Sequence, residues 1–265
     1  MKQVSTTIIS NRELTNGKND FPKANLICIK NHTIATTAKP GQFAMVNCGN
    51  EVILRRPLGI HQTSKSGRIY FLFTVVGRGT IWLAKRQKGE KLDLIGPLGN
   101  GFTIKPKSKR LLLLAGGIGI SPIAFLARQA IEQRKHTTLI IGATKKTQLY
   151  TQHLPQNGLE IIILTDDGSA GIKGKISDLP SLPDYIKQAD QIFSCGPLPM
   201  YQAIDVLIKQ MALDKDIQIS LETRMGCGIG SCYGCSIKTR HGMKMVCRDG
   251  PVFNMKEVIW EEVKL

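Results

Sequence analysis

Residues 110–129, RLLLLAGGIGISPIAFLARQ, join an unbroken apolar run to a glycine loop and then to a helical pattern opened by a proline. Four consecutive leucines, Leu111–Leu114, leave no polar face, as in a strand covered on both sides. Ser121 is suited to cap the following helix and Pro122 to be its first residue. A helix start placed there offers free N–H groups and a positive dipole end to a phosphate, and Gly116, Gly117 and Gly119 allow a dinucleotide to approach the backbone. The spacing is G-x-G-x-x-P rather than the full G-x-G-x-x-G, so plain strand–helix packing is the competing reading.

Downstream, TTLIIGA (137–143), LEIIILTDD (159–167) and DQIFSC (190–195) read as further apolar strands, and MYQAIDVLIKQMAL (200–213) is amphipathic at helical spacing. Apolar strands alternating with helices predict a doubly wound parallel sheet. FSCGPLPM places Cys195, Gly196 and Pro197 at the carboxyl end of a strand, where ligands sit in open α/β sheets, although Cys195 is equally readable as an ordinary buried cysteine. No acidic residue ends TTLIIGA; Lys145 and Lys146 follow instead, which points to a 2′-phosphate and hence NADP, with NAD left open.

Upstream, residues 1 to about 103 form short runs with turn punctuation. ANLICIKN (24–31), GQFAMVNC (41–48) and RIYFLFTVV (68–76) are strand-like, and such runs predict a small antiparallel barrel.

The end of the chain differs again. ETRMGCGIGSCYGCSIKTR (222–240) holds Cys227, Cys232 and Cys235, and Cys247 follows in MVCRDG, giving C-x4-C-x2-C-x11-C. The first two gaps have the spacing of plant-type [2Fe–2S] sites. Gly226, Gly228, Gly230 and Gly234 are expected to supply positive φ and to bring N–H groups to the sulfurs. A four-cysteine zinc site is the rival, but zinc knuckles pair their cysteines at short spacing and here the last stands alone. Disulfides or free thiols are the third reading.

With 265 residues and 42% hydrophobic content, the chain can bury two or three small cores. The formal charge of +16 is spread out, without the dense basic runs of a nucleic-acid patch. It is read as a basic solvated surface facing an acidic protein partner, with no nucleic acid. The N-terminus MKQVSTTIISNREL lacks the apolar core of a signal peptide, and no run is long enough to span a membrane. A cytoplasmic location follows as an expectation, with reduced cysteines engaged in metal or redox chemistry. His32, His61, His136, His153 and His241 show no ligand-like spacing and are read as surface or loop residues.

Taken in order, RRPLG, VGRGT, GPLGNGF, AGGIGISP, CGP and the cysteine set resemble the ferredoxin–NADP reductase superfamily. Within it they resemble the iron–sulfur flavoprotein subunits of NAD-dependent (type B) dihydroorotate dehydrogenases, over essentially the whole chain. The resemblance implies a multidomain α/β plus β architecture in three units: an FAD-binding antiparallel β-barrel (1–103), a doubly wound NAD-binding domain (104–215) and a small C-terminal [2Fe–2S] module (216–265). It places FAD on Arg56, Pro57, Leu58 and Gly59, where relatives carry a hydroxyl residue at the last position. It also places FAD on Leu72, Phe73 and Thr74, where Thr74 replaces the usual arginine, and on Gly79 and Thr80. Arg56 and Arg78 would compensate for the missing charge. No catalytic acid, base or nucleophile is implied.

The implied activity is an oxidoreductase relay in pyrimidine (UMP) biosynthesis. Electrons from a separate FMN dihydroorotate dehydrogenase subunit pass through the [2Fe–2S] cluster and FAD to NAD+, in a heterotetramer of two copies of each chain. Two alternatives stay open: a diaphorase subunit of a hydrogenase, sulfide dehydrogenase or transhydrogenase complex, and a non-enzymatic zinc module that binds nucleotide.

Overall fold

The computed structural model describes residues 1–15, 22–151 and 153–263. The last two positions of the expected C-terminal unit, 264 and 265, therefore lie outside the described residues.

Six strands close the N-terminal barrel: β1 (Lys2–Glu13), β2 (Ala24–Lys30), β3 (Phe43–Val46), β4 (Arg56–Thr63), β5 (Arg68–Thr74) and β6 (Lys91–Leu98). Their order is β1-β2-β5-β4-β3-β6, and every pair is antiparallel. On β6 buried residues alternate with more exposed ones, the pattern of a strand with one face on a barrel core. Most of the N-terminal segment MKQVSTTIISNREL forms β1. Two short helices, α1 (His32–Thr37) and α2 (Arg78–Ala84), join the barrel strands.

The leucine run is β7 (Arg110–Gly116), and only its first residue is exposed. It sits mid-sheet, which explains the absence of a polar face. Around it lie α3 (Ile120–Glu132), β8 (His136–Ala143), β9 (Leu159–Thr165), β10 (Ile172–Lys173), α4 (Leu182–Gln188), β11 (Gln191–Cys195), α5 (Leu198–Gln210) and β12 (Ile217–Ser220). The sheet order is β10-β9-β8-β7-β11-β12, all parallel. The chain reverses across β7, between β8 and β11, which is where such sheets open a ligand crevice.

A hairpin of β13 (Ser236–Thr239) and β14 (Gly242–Met245) follows, and then β15 (Val252–Asn254) returns to pair antiparallel with β12. The parallel sheet thus continues past residue 215, and the cysteine segment leaves it after β12 and rejoins it at β15. One apolar core runs through both: Leu221, Met225, Cys235, Val246 and Phe253 pack in the same cluster as Leu112 and Ile192. Among the described residues, no helix is long and apolar enough to cross a membrane.

Candidate functional site

The glycine loop begins with a 3-10 turn, Gly117–Gly119, and α3 is capped by the backbone of Gly119. Ser121, expected as the cap, lies inside the first helical turn, because the extra turn moves the helix start upstream. Its side chain caps nothing. A Cβ on Gly119 would collide with the carbonyl oxygen of Cys195, and one on Gly116 would press on Pro197 and Met200. Close packing of the loop against β11 therefore accounts for these two glycines, and this packing also makes the site, because it sets the two loops side by side.

A cavity of about 700 Å³ opens over them. Gly116, Gly117 and Gly119 line it on one side, and Gly196 and Pro197 on the other. Cys195 lies beneath the floor at 2% exposure, with its Sγ donating to Ser220 O at 3.8 Å. Burial pushes its thiol far up, so it stays protonated and does not reach the cavity. Tyr201 went unnoticed in the sequence. Its buried hydroxyl accepts from Gly196 N (2.9 Å) and donates to Ser220 O (2.7 Å), tying the ends of β11 and β12 together. A tyrosine within an amphipathic helix gives no sequence signal for such a role.

The far wall carries Gln148, Asp166, Lys175 and Asp178. Asp178 accepts from Lys175 N and Ser177 Oγ, and these bonds, the Lys175 N–H foremost, hold it below the usual carboxylate range. Lys145 and Lys146, expected near a 2′-phosphate, are not in the lining. The acidic residue sought after β8 stands instead one strand further out, as Asp166 after β9.

A second cleft, about 250 Å³, lies between barrel and sheet. Pro57, Leu58, Gly59, Leu72, Phe73, Thr74 and Thr80 line it from the barrel, and Ser121 and Pro122 from α3. Arg56 and Gly79 do not line it. They pack on one another, so that a Cβ on Gly79 would press on the Arg56 side chain. The Arg56 guanidinium donates to Leu54 O at 2.8 Å. Thr80 Oγ1 accepts the N–H groups of Val76 and Gly77 and donates to Gly77 O, fixing the start of α2. At Gly59 a side chain would meet open space. Arg78 is likewise absent from the lining.

Ile118 and Glu222 line both cavities. Protein crowds Glu222 on most sides although its carboxyl opens to the cavities, and this desolvation raises it above the usual range.

Met225 also lines the cleft, and the cysteines begin two residues later. Gly228 and Gly230 take φ of 74° and 85°, turning the loop so that the Gly230 N–H donates to Cys247 Sγ at 3.1 Å. The Ile229 and Ser231 N–H groups donate to Cys227 Sγ at 3.4 and 3.2 Å. Gly226 and Gly234, expected to share the positive φ, do not; Tyr233 adopts it instead, at 58°. The thiols stand in two pairs, Cys227 beside Cys232 and Cys235 beside Cys247, and the Cys247 N–H donates to Cys235 Sγ at 3.4 Å. Partial burial raises the Cys227 thiol, but N–H donors from Ile229, Cys232 and Ser231 pull it down to about 6. Burial and the Cys235 thiol push Cys247 up to about 12. A single zinc ion would draw four sulfurs into one tetrahedron. Among the described residues no three such side chains are gathered into a ready-made site for a metal ion of either kind. Two pairs, each with N–H donors on sulfur, fit a two-iron cluster.

Among the histidines, His61 departs most from its reading as a surface residue. It lies in β4 at 1% exposure, and its Nδ1–H donates to Ser121 O at 3.0 Å. His153 is half-buried, edge-on to His61 and bonded to an Arg12 guanidinium nitrogen at 3.1 Å. His32, His136 and His241 are exposed.

Comparisons with known proteins agree with this arrangement. Residues 222–259 match the family model for the iron–sulfur cluster binding domain of dihydroorotate dehydrogenase B. The chain is 38% identical to the dihydroorotate dehydrogenase B (NAD(+)) electron transfer subunit of Desulforamulus reducens, covering 86% of this chain and 89% of that protein. It is 34% identical to the Geobacillus sp. protein of the same name, covering 98% and 99% respectively. An NADH-dependent reduced ferredoxin–NADP oxidoreductase structure, 26% identical, superposes with a TM-score of 0.83 over 97% of this chain and 90% of its own. A ferredoxin NADP+ reductase from Neisseria gonorrhoeae, with bound FAD and NADP, shares the fold at 20% identity and TM-score 0.66, over 80% of this chain and 92% of its own. With four thiols in two pairs, two cavities sharing a wall and relatives matched along nearly their whole length, this chain belongs to the electron transfer subunits of dihydroorotate dehydrogenase B (NAD(+)).

Proposed function

We propose that the chain carries electrons between a nicotinamide dinucleotide in the larger cavity, FAD in the cleft and a [2Fe–2S] cluster on Cys227, Cys232, Cys235 and Cys247. One observation carries the reading: Glu222 and Ile118 line both cavities, and the segment that walls the cleft runs on from Met225 into the first cysteine. The three sites are thus contiguous. FAD, when bound, exchanges a hydride with nicotinamide and single electrons with an iron–sulfur centre.

The protein's own residues do the positioning. Gly119 and the Tyr201 hydroxyl hold the two loops that would flank a dinucleotide. Leu58, Leu72 and Phe73, nearly all buried, form an apolar wall for a flat ring system. Backbone N–H groups on sulfur stabilise thiolates. On the far wall, Asp166 and Asp178 outnumber Lys175, which disfavours a 2′-phosphate and supports NAD over the NADP suggested by Lys145 and Lys146.

The electrons come from an FMN-containing dihydroorotate dehydrogenase subunit, in a complex of two copies of each chain in the cytoplasm, serving pyrimidine synthesis. In the chain itself we divide the roles as FAD in residues 1–103, NAD in 104–215 and the cluster in 216–265, the last sharing its sheet with the second. The test is anaerobic purification with metal, sulfide and flavin analysis, followed by assay with and without the catalytic subunit. We expect two irons and one FAD per chain, NADH oxidation with artificial acceptors by the chain alone, and NAD+-linked dihydroorotate oxidation only in the complex. Zinc in place of iron, or dihydroorotate oxidation by the isolated chain, would overturn it.

A further inference from the structure

Barrel and sheet meet along α3. Phe125 of this helix packs against the barrel core that holds Ile60 and Phe71, whereas Ile123 and Leu126 pack with Leu111 and Phe193 of the sheet. Apolar contacts of this kind tolerate sliding, but a hydrogen bond weakens steeply once its distance and angle are lost. One such bond stands a turn before Phe125, where His61 of β4 meets the Ser121 carbonyl oxygen at 3.0 Å. Burial keeps the ring neutral by pushing it down to about 4, and a carbonyl can only accept, so Nδ1 carries the hydrogen.

The strand is built to aim this side chain. β4 pairs with β5 as Ile60 with Phe71 and Gln62 with Tyr70, which leaves His61 as the extra residue of a β-bulge. A bulge breaks the strict alternation of a strand and re-aims a side chain. Ile60, His61 and Gln62 are accordingly three consecutive residues at 2% exposure or less. Gln62 turns elsewhere, its Nε2 donating to His153 O at 3.2 Å.

His61 lines neither cavity, but the segment it holds lines both. Ser121 and Pro122 border the cleft between barrel and sheet, the preceding Gly117–Gly119 turn borders the larger cavity, and Ile118 borders the two. The barrel also meets the cysteine loop, where a Cβ on Gly228 would strike Met45, but that contact does not involve α3.

We propose that His61 is a positioning residue for hydride exchange between the two cavities, its bond to Ser121 O fixing the start of α3 and the glycine turn against the barrel. In the step concerned a hydride, one proton with two electrons, leaves NADH to give NAD+ and reduces the flavin. Reacting atoms must lie about 3–3.5 Å apart, and a misplacement of about 1 Å costs about a hundredfold in rate. The inference rests on the reading of the larger cavity as the NAD site and the cleft as the FAD site.

The test uses the full chain with its cluster and FAD, reduced anaerobically by NADH in a stopped-flow instrument. The limiting rate of flavin reduction and the NADH dissociation constant are then read separately. We expect His61→Leu to lower the limiting rate about tenfold to a hundredfold, with FAD content and NADH affinity unchanged. His61→Asn, whose side-chain N–H takes the place of Nδ1–H, should restore the rate. His61→Gln, whose N–H lies one bond further out, should not. Hydrogen exchange on the FAD-free chain is a second readout. Amides in the first turn of α3 should exchange about tenfold faster in His61→Leu, the worth of one hydrogen bond, and as in the wild type in His61→Asn. Gln62→Met, which leaves the helix start alone, should change neither readout. A wild-type limiting rate in His61→Leu, or a fall accounted for by lost FAD or weaker NADH binding, overturns the proposal and leaves the reading of the cavities intact. Should His61→Leu fail to fold, His61→Gln takes its place in the same comparison. A wild-type chain whose FAD is not reduced by NADH overturns both.

Discussion

Asp166 shows how a single residue could set the choice of dinucleotide. It follows β9 and lines the larger cavity, while its neighbour Asp178 is held ionised by the Lys175 N–H and Ser177. A 2′-phosphate placed beside these carboxylates would meet like charge, which costs up to several kcal/mol across an interface. We expect Asp166→Ser to raise the NADPH/NADH ratio of kcat/KM with an artificial acceptor by about tenfold to a hundredfold. Asp166 is exposed and outside the core, so thermal stability should stay put. An unchanged ratio would show that the adenosine end of the dinucleotide lies elsewhere. Cys195 makes the complementary point. A cysteine at a strand end invites a functional reading, but the packing of Gly119 over it leaves it a buried thiol.

At the scale of elements, the barrel and the sheet are joined by a polar contact between β4 and α3. His61 donates to Ser121 O, His153 packs edge-on against it, and Arg12 on β1 bonds His153. Burial above all, with Arg128 and His153 adding, pushes His61 down to about 4, from 6.5 in the open chain. The unfolded chain then takes up this proton as pH falls through about 6.5, but the folded protein does not until about 4. Stability is therefore full above the upper value and declines between the two, by about 3 kcal/mol for this group. His61→Asn keeps an N–H donor without the titration. Urea unfolding at pH 7 and pH 4.5 should show a smaller drop in the variant than in the wild type. Parallel drops would assign the acid sensitivity to His153 and the carboxylates.

For the molecule as a whole, the cysteine loop has an inner and an outer side. Cys235 and Cys247 are buried in the core shared with the sheet, while Cys232 is exposed. Beside Cys232 stand Ile229 at 43% and Tyr233 at 66% exposure, and Tyr233 is held in the left-handed region that bulky residues seldom occupy. Apolar groups at the outer side of an electron-carrying loop suit a partner that covers them. We expect Ile229→Glu and Tyr233→Glu to keep full iron and FAD content and NADH oxidation with small acceptors. Affinity for the catalytic subunit, measured by titration of the isolated chains, should fall at least about tenfold. Undiminished affinity would move the docking face away from this loop.

The amino-acid sequence alone indicated the kinds of structure present and the four candidate cluster ligands. Leu111–Leu114 point to a strand covered on both sides, the short punctuated runs of the first hundred residues point to a barrel, and C-x4-C-x2-C-x11-C singles out four thiols, because these patterns are local. Where the glycine loop begins its helix was misread at Ser121, because a 3-10 turn and the contact of Gly119 with Cys195 depend on a strand almost eighty residues away. The membership of β12 and β15 in one sheet, the burial of His61 and its bond to the Ser121 carbonyl oxygen were equally out of reach. Each is a contact between residues far apart in the chain, and only the closed tertiary structure brings such residues within hydrogen-bonding or packing distance.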